Sequence, residues 1–216
     1  MNITLNGIEI RVLGSLIEKE LATPEYYPLS LNALANACNQ KSNRSPVLSL
    51  NEDDIINALQ SLKDKQIVCR SDATRVPKYW HNFVKQHNLI RREAALLCLL
   101  LLRGQQTAGE LRSRTERLCS FESLEEVVQS LDSLLEIGFV RKLPRQPGQK
   151  EQRYSHLLAE EPEDLEQLCV EKDHTLSAAD KYDDRISALE NSVAYLKEEL
   201  ETLKDELLSF KKGKNP

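Results

Sequence analysis

Residues 39–45, "NQKSNRS", combine two cations with amides and hydroxyls of the kind that hold a phosphate. Lys41 and Arg44 could neutralise it, and Asn39, Gln40 and Asn43 could donate hydrogen bonds to it. The competing reading is that these amides satisfy the backbone of their own loop. A second basic stretch, "RKLPRQPGQKEQR" at 141–153, sets Arg141, Lys142, Arg145, Lys150 and Arg153 against one acid, Glu151. Its Pro144, Pro147 and Gly148 suit an exposed turn. Laid along a duplex, such a turn would supply affinity without sequence choice; otherwise it is a solvated hairpin.

Other chemistry finds little support. Cys38, Cys69, Cys98, Cys119 and Cys169 are scattered with no C-x-x-C, which suits reduced thiols better than a disulfide frame or a zinc site. His81 and His87 are six residues apart and do not share a helical face. Neither a glycine-rich phosphate loop nor a Ser/His/Asp set is present, so the sequence predicts no catalysis, cofactor or metal. In "YWHNF", Tyr79, Trp80 and Phe83 could stack on bases, but a single Trp reads better as a packing anchor.

The elements that carry these residues occur twice. "DDIINALQSLKDKQIVCR" (53–70) aligns with "EEVVQSLDSLLEIGFVRK" (125–142) at an offset of 72, with Leu59, Ser61, Leu62 and Val68 identical to Leu131, Ser133, Leu134 and Val140. Asn51 and Ser123 stand where helix caps belong, each with an acid three residues on. Upstream, Ile8, Val12, Leu13, Leu16, Ile17 and Leu21 recur at helical spacing before "TPEYYP" breaks the chain. Ser30 then caps a short helix through Cys38. The second copy predicts helices over 91–103 and from Thr107 to about Leu118. Each third helix is followed by strand-like pieces, "IVCRS" then "VPKYWHNF", and "FVRKL" then "QRYSHLL". Three helices and a hairpin describe a winged helix. The fold class expected is mainly α with small β-hairpins: winged-helix domains at 1–86 and 87–160, an acidic linker at 161–178 and a coiled-coil helix at 179–212.

"TPEYYPLSLNALANACNQKSNRSPVLSL" resembles the signature segment of the YceH-like family of uncharacterised bacterial proteins, and "VLGSLIEKE" and "GELRSRTERL" are similar to it too. The resemblance covers about the first 160 residues. It implies a tandem winged-helix fold and carries no activity with it.

A winged-helix reader presents its third helix to the major groove. With Ile55, Leu59 and Leu62 inward, the outer side of the first copy is Asp53, Asn57, Gln60, Ser61 and Asp64. The second copy offers Glu125, Gln129, Asp132, Ser133 and Glu136. Neither face holds a cation. Acids at the helix start complement the helix dipole, but those further along would meet phosphate repulsion.

In the tail, Ile186, Leu189, Val193, Leu196, Leu200, Leu203, Leu207 and Phe210 alternate spacings of three and four, the seam of a coiled coil. A parallel pairing sets Arg185 against Glu190, Glu199 against Lys204 and Glu206 against Lys211, all opposite in sign. The expectation is a parallel homodimer; the competing reading folds the helix back on its own domains. Net charge is −5, and all of it belongs to residues 161–216; residues 1–90 and 91–160 each sum to +1. The longest apolar run, 94–102, is too short to span a bilayer, and "MNITLNGIEI" lacks a signal-peptide pattern. A cytoplasmic location is expected. Two functional readings follow. The first is a dimeric DNA-associated regulator gripping phosphate with the second wing and the Lys41–Arg44 loop. The second is a protein–protein adaptor using the acidic third helices and the coiled coil, without DNA.

Overall fold

Asn6 opens the first helix by accepting hydrogen bonds from the N–H groups of Ile8 and Glu9, while the Glu9 carboxylate accepts from the Asn6 N–H at 2.8 Å. This reciprocal cap starts α1 (Gly7–Ala22). After a 3-10 turn over Pro24–Tyr26 come β1 (Leu29–Ser30), α2 (Leu31–Cys38), α3 (Glu52–Asp64), β2 (Val68–Ser71) and β3 (Lys78–His81). A single turn, α4 (Phe83–Gln86), leads into α5 (Arg91–Arg103), and the series repeats: β4 (Gln106–Thr107), α6 (Ala108–Thr115), α7 (Leu124–Ile137), β5 (Val140–Lys142) and β6 (Arg153–His156). The computed structural model describes residues 3–73, 75–145 and 151–159. These hold seven α-helices and two small antiparallel sheets of identical topology, β1-β3-β2 and β4-β6-β5.

The caps at Ser30, Asn51, Thr107 and Ser123 all accept from a backbone N–H at the start of their helices. α5 has the predicted bounds. α6 stops at Thr115, and the Leu118 N–H closes a final turn on the Thr115 carbonyl. The two-residue strands β1 and β4 were not expected, since two residues show no alternation. Each supplies the third strand of its sheet.

The apolar faces of both copies form one continuous core, and residues 1–160 are one compact unit. α1 lies directly on α5: a Cβ at Gly14 would come within 2.9 Å of Leu102 and 3.2 Å of Leu101. Gly14 serves this close approach, with the Cys98 thiol 3.4 Å from its carbonyl. The aromatic anchor is Phe83 rather than Trp80. Phe83 is fully buried, its ring 5.2 Å from Phe139 of the second copy, with His87 against both rings, whereas Trp80 is only half-buried. Backbone bonds complete the join: Leu5 N–H to the Leu158 carbonyl and Ser45 N–H to that of Leu102. Arg91 bonds the carbonyls of Leu21 and Leu118.

None of the helices among the described residues is long and apolar enough to cross a membrane. The expected linker at 161–178, the helix at 179–212 and its dimerisation residues lie outside the described residues.

Candidate functional site

The loop at 39–45 turns Arg44 inward. Arg44 has no side-chain exposure. Its Nη2 and Nη1 donate to the Glu18 carboxylate at 2.6 and 3.1 Å, and the rest of the guanidinium bonds the carbonyls of Ala37 and Asn43. A donor set so fully used inside the fold has nothing left for a ligand. The expectation that Arg44 reaches phosphate is therefore corrected; its function is to hold the α2–α3 loop on α1. Arg11, also buried, bonds the Cys38 and Pro46 carbonyls beside it; burial, with Arg44 adjacent, lowers its pKa. Asn39 spends its amide on the N–H and C=O of Leu50, at 2.8 Å each. Lys41 and Asn43 are exposed, Asn43 with a left-handed φ of 59°.

The cations of the second hairpin are divided in the same way. Lys142 Nζ donates to Asp132 of α7 at 2.7 Å and sits 5.9 Å from the centre of the Tyr154 ring. Hydrogen bonding to Asp132 raises the Lys142 pKa. Arg153 bonds the Gln105 carbonyl at 2.9 Å and lies 3.7 Å from Glu110. Arg141 is half-buried and Arg145 exposed, while Lys150 lies outside the described residues. On α6, Arg114 is taken up by Gln106 and Glu110, and Arg112 by the Glu122 carbonyl. Arg117, just beyond that helix, is exposed.

The third helices differ from their expected faces in one respect. Asp53, Asn57, Gln60 and Asp64 are exposed on α3, and Glu125, Gln129 and Glu136 on α7. Ser61 and Ser133 instead turn in, each donating at 2.5 Å to a buried carboxylate, Glu9 and Glu93 respectively. Glu9 also takes Lys65 at 2.8 Å. Lys63 is exposed on the flank of α3, beside the 44%-exposed Ile56. α7 bears exposed Leu124 and Ile137 at its ends.

The hairpins carry a Tyr-x-His pattern in each copy that sequence reading passed over: Tyr79 and His81, Tyr154 and His156. It was visible as "KYWH" over "RYSH". His81 Nε2 lies 2.6 Å from the Glu20 carboxylate, and its backbone N–H donates to the Tyr27 hydroxyl at 2.8 Å. Burial, then the Arg141 cation, push the His156 pKa down to about 4. Among the described residues no cluster of three His, Cys, Asp or Glu could hold a metal.

Residues 5–149 match the family described as "Protein of unknown function, DUF480". The chain is 52% identical over 202 residues to a UPF0502 protein of Solibacter usitatus, covering 93% of this chain and 97% of that one. It is 49% identical over 200 residues to one of Geobacter sulfurreducens, covering 91% of each. It is 48% identical over 214 residues to one of Aeromonas hydrophila, covering 96% and 98%. On a match that spans both copies and relatives aligned over nearly their whole length, the chain belongs to the DUF480 family of UPF0502 proteins.

Proposed function

We propose that this chain is a non-catalytic adaptor that acts in the cytoplasm. Its two winged-helix copies would bind protein partners through the outward faces of α3 and α7, and the heptads at 186–210 would pair two chains in parallel. The observation that carries the reading is the surface of α7. Exposed Glu125, Gln129 and Glu136 run along its outer side, with exposed Leu124 and Ile137 at its two ends. Apolar side chains among charges suit a protein interface, whereas acids on a groove-facing helix oppose phosphate. The cations best suited to phosphate, Arg44, Lys142 and Arg153, are held by groups of the protein itself.

The test has two arms. Full-length protein is titrated with random-sequence duplex DNA across salt, and separately used for proximity labelling in cells with Glu125→Lys/Glu136→Lys as control. The adaptor reading expects no salt-sensitive DNA binding, and partners lost on charge reversal. Labelling indifferent to that reversal would sink it.

The second reading, DNA association, is favoured by Lys41, Arg117 and Arg145, exposed and without a partner among the described residues. It expects affinity that falls steeply with salt, by roughly 10³-fold or more between 50 and 200 mM if six or more phosphates are neutralised. It also expects clear weakening in Lys41→Glu/Arg145→Glu.

A further inference from the structure

The same place in the two copies is built differently. In the second copy the gap between α7 and β5 is bridged by Asp132 and Lys142 at 2.7 Å, with Lys142 also over Tyr154. The corresponding residues of the first copy are Gln60, Arg70 and Tyr79. Here no bridge forms: Gln60 bonds Asp64 on its own helix, and Arg70 turns along its strand to Asp72. A cleft remains between α3 and β2, floored by Ile56, Leu59 and Tyr79 and flanked by Lys63 and Arg70. Its lining includes these two cations and no acid.

The strand beside the cleft has an unused edge. Among the described residues β2 pairs only with β3, as the outer member of its sheet. The Asn82 N–H bonds the Ile67 carbonyl. Bonded pairs alternate along an antiparallel ladder, so the backbone N–H and C=O of Arg70 face away from β3. An edge of this kind accepts an added strand, with neighbouring pockets choosing its side chains.

We infer that this cleft docks an extended segment of a partner protein, one apolar side chain entering between Ile56 and Tyr79 and flanking carboxylates meeting Lys63 and Arg70. Charge complementarity selects the occupant: an acidic, apolar-anchored strand fits and a basic one is repelled. The exposed Arg70–Asp72 pair is weak enough to be exchanged for a ligand carboxylate. This deepens the adaptor reading and rests on it, naming the chemistry of one partner segment.

The test selects a displayed library of random peptides on the full-length protein, then measures the selected peptides on variants by fluorescence polarisation. Gln60→Asp restores the missing bridge by offering Arg70 a carboxylate across the cleft, and Lys63→Glu inverts one flank. Both positions are exposed on α3, and a thermal melt checks that each variant is folded. The expected result is enrichment of peptides with an apolar residue between acids, bound about tenfold or more weakly by each variant and unaltered by Glu125→Lys/Glu136→Lys. Absence of enrichment, selection of basic peptides, or full affinity for Gln60→Asp and Lys63→Glu would overturn the inference. If labelled partners depend on α7 while the library yields no such peptide, the cleft fails and the adaptor reading survives. Salt-sensitive DNA binding beside α7-independent labelling defeats the adaptor reading on its own terms.

Discussion

The two copies share a plan and differ in how they handle charge. In each, a glutamate at the third position of the leading helix closes that helix's cap and takes a serine from the third helix, Glu9 with Ser61 and Glu93 with Ser133. Around this common joint the first copy buries more ions. Lys65 joins Glu9, and Arg44 with Arg11 pins a long α2–α3 loop to α1. The second copy has a shorter connection there and places its paired charges outside, at Asp132–Lys142 and Glu110–Arg153. The difference teaches that a polar loop rich in cations can be an internal clasp, while the cleft beside α3 is left without a bridge across it.

The strongest way to break this comparison is at the clasp. Arg44→Met leaves Glu18 and two carbonyls without their donor, and should cost about 3 kcal/mol in urea unfolding, as expected for half of a buried pair. Arg44→Met/Glu18→Leu should recover part of that loss. A surface role for Arg44 predicts instead a change within ~0.5 kcal/mol.

The paired histidines give the next effect. His156 is depressed in the folded state to about 4, so between pH 6.5 and 4 the unfolded chain binds the extra proton. Stability should be level above pH 7 and fall as pH drops through this window. The full shift is worth about 3 kcal/mol, and partial exposure of the ring reduces it to roughly 2. His87 is also lowered by burial and adds to the same slope. Melting temperature against pH should flatten in His156→Leu, with His87 supplying the remainder. An unchanged slope would refute the assignment. Acid loss of the Glu9 contacts is confined to lower pH, because hydrogen bonds from Lys65, Ser61 and Asn6 outweigh its burial and hold its carboxyl below the usual range.

The smallest effect belongs to the second hairpin. Lys142→Met breaks an exposed pair with Asp132 and a long contact over the Tyr154 ring, so its cost should be ~0–1 kcal/mol. A loss above about 2 kcal/mol would mean that the bridge is structural and that its absence in the first copy needs another explanation.

Much of the fold was legible because its signals are local. Helical spacing located α1, α3, α5 and α7, and cap residues marked where four of the helices begin. A constant offset of 72 exposed the repeat. The outward acids of α3 and α7 followed from helical phase, but Ser61 and Ser133 did not. Each lies on the flank of its helix, where direction depends on a glutamate far away in sequence. The candidate site was read less well for the same reason. Arg44 and Lys41 look alike in "NQKSNRS", yet one is buried and one exposed. The Tyr-x-His pattern was readable in both hairpins, though not the acid beside one histidine and the cation beside the other.

What the sequence by itself determined is therefore the order of elements, their duplication and their inward faces, since periodicity and capping act within a few residues. Only the tertiary structure decided which charges remain free. Arg44 is consumed by Glu18, 26 positions earlier, and Lys142 by Asp132, ten earlier, whereas Gln60 and Arg70 of the first copy leave their cleft unbridged. A charge is neutralised by whatever group folding brings within about 3 Å of it, and that neighbour is set by packing between elements, which no local pattern encodes.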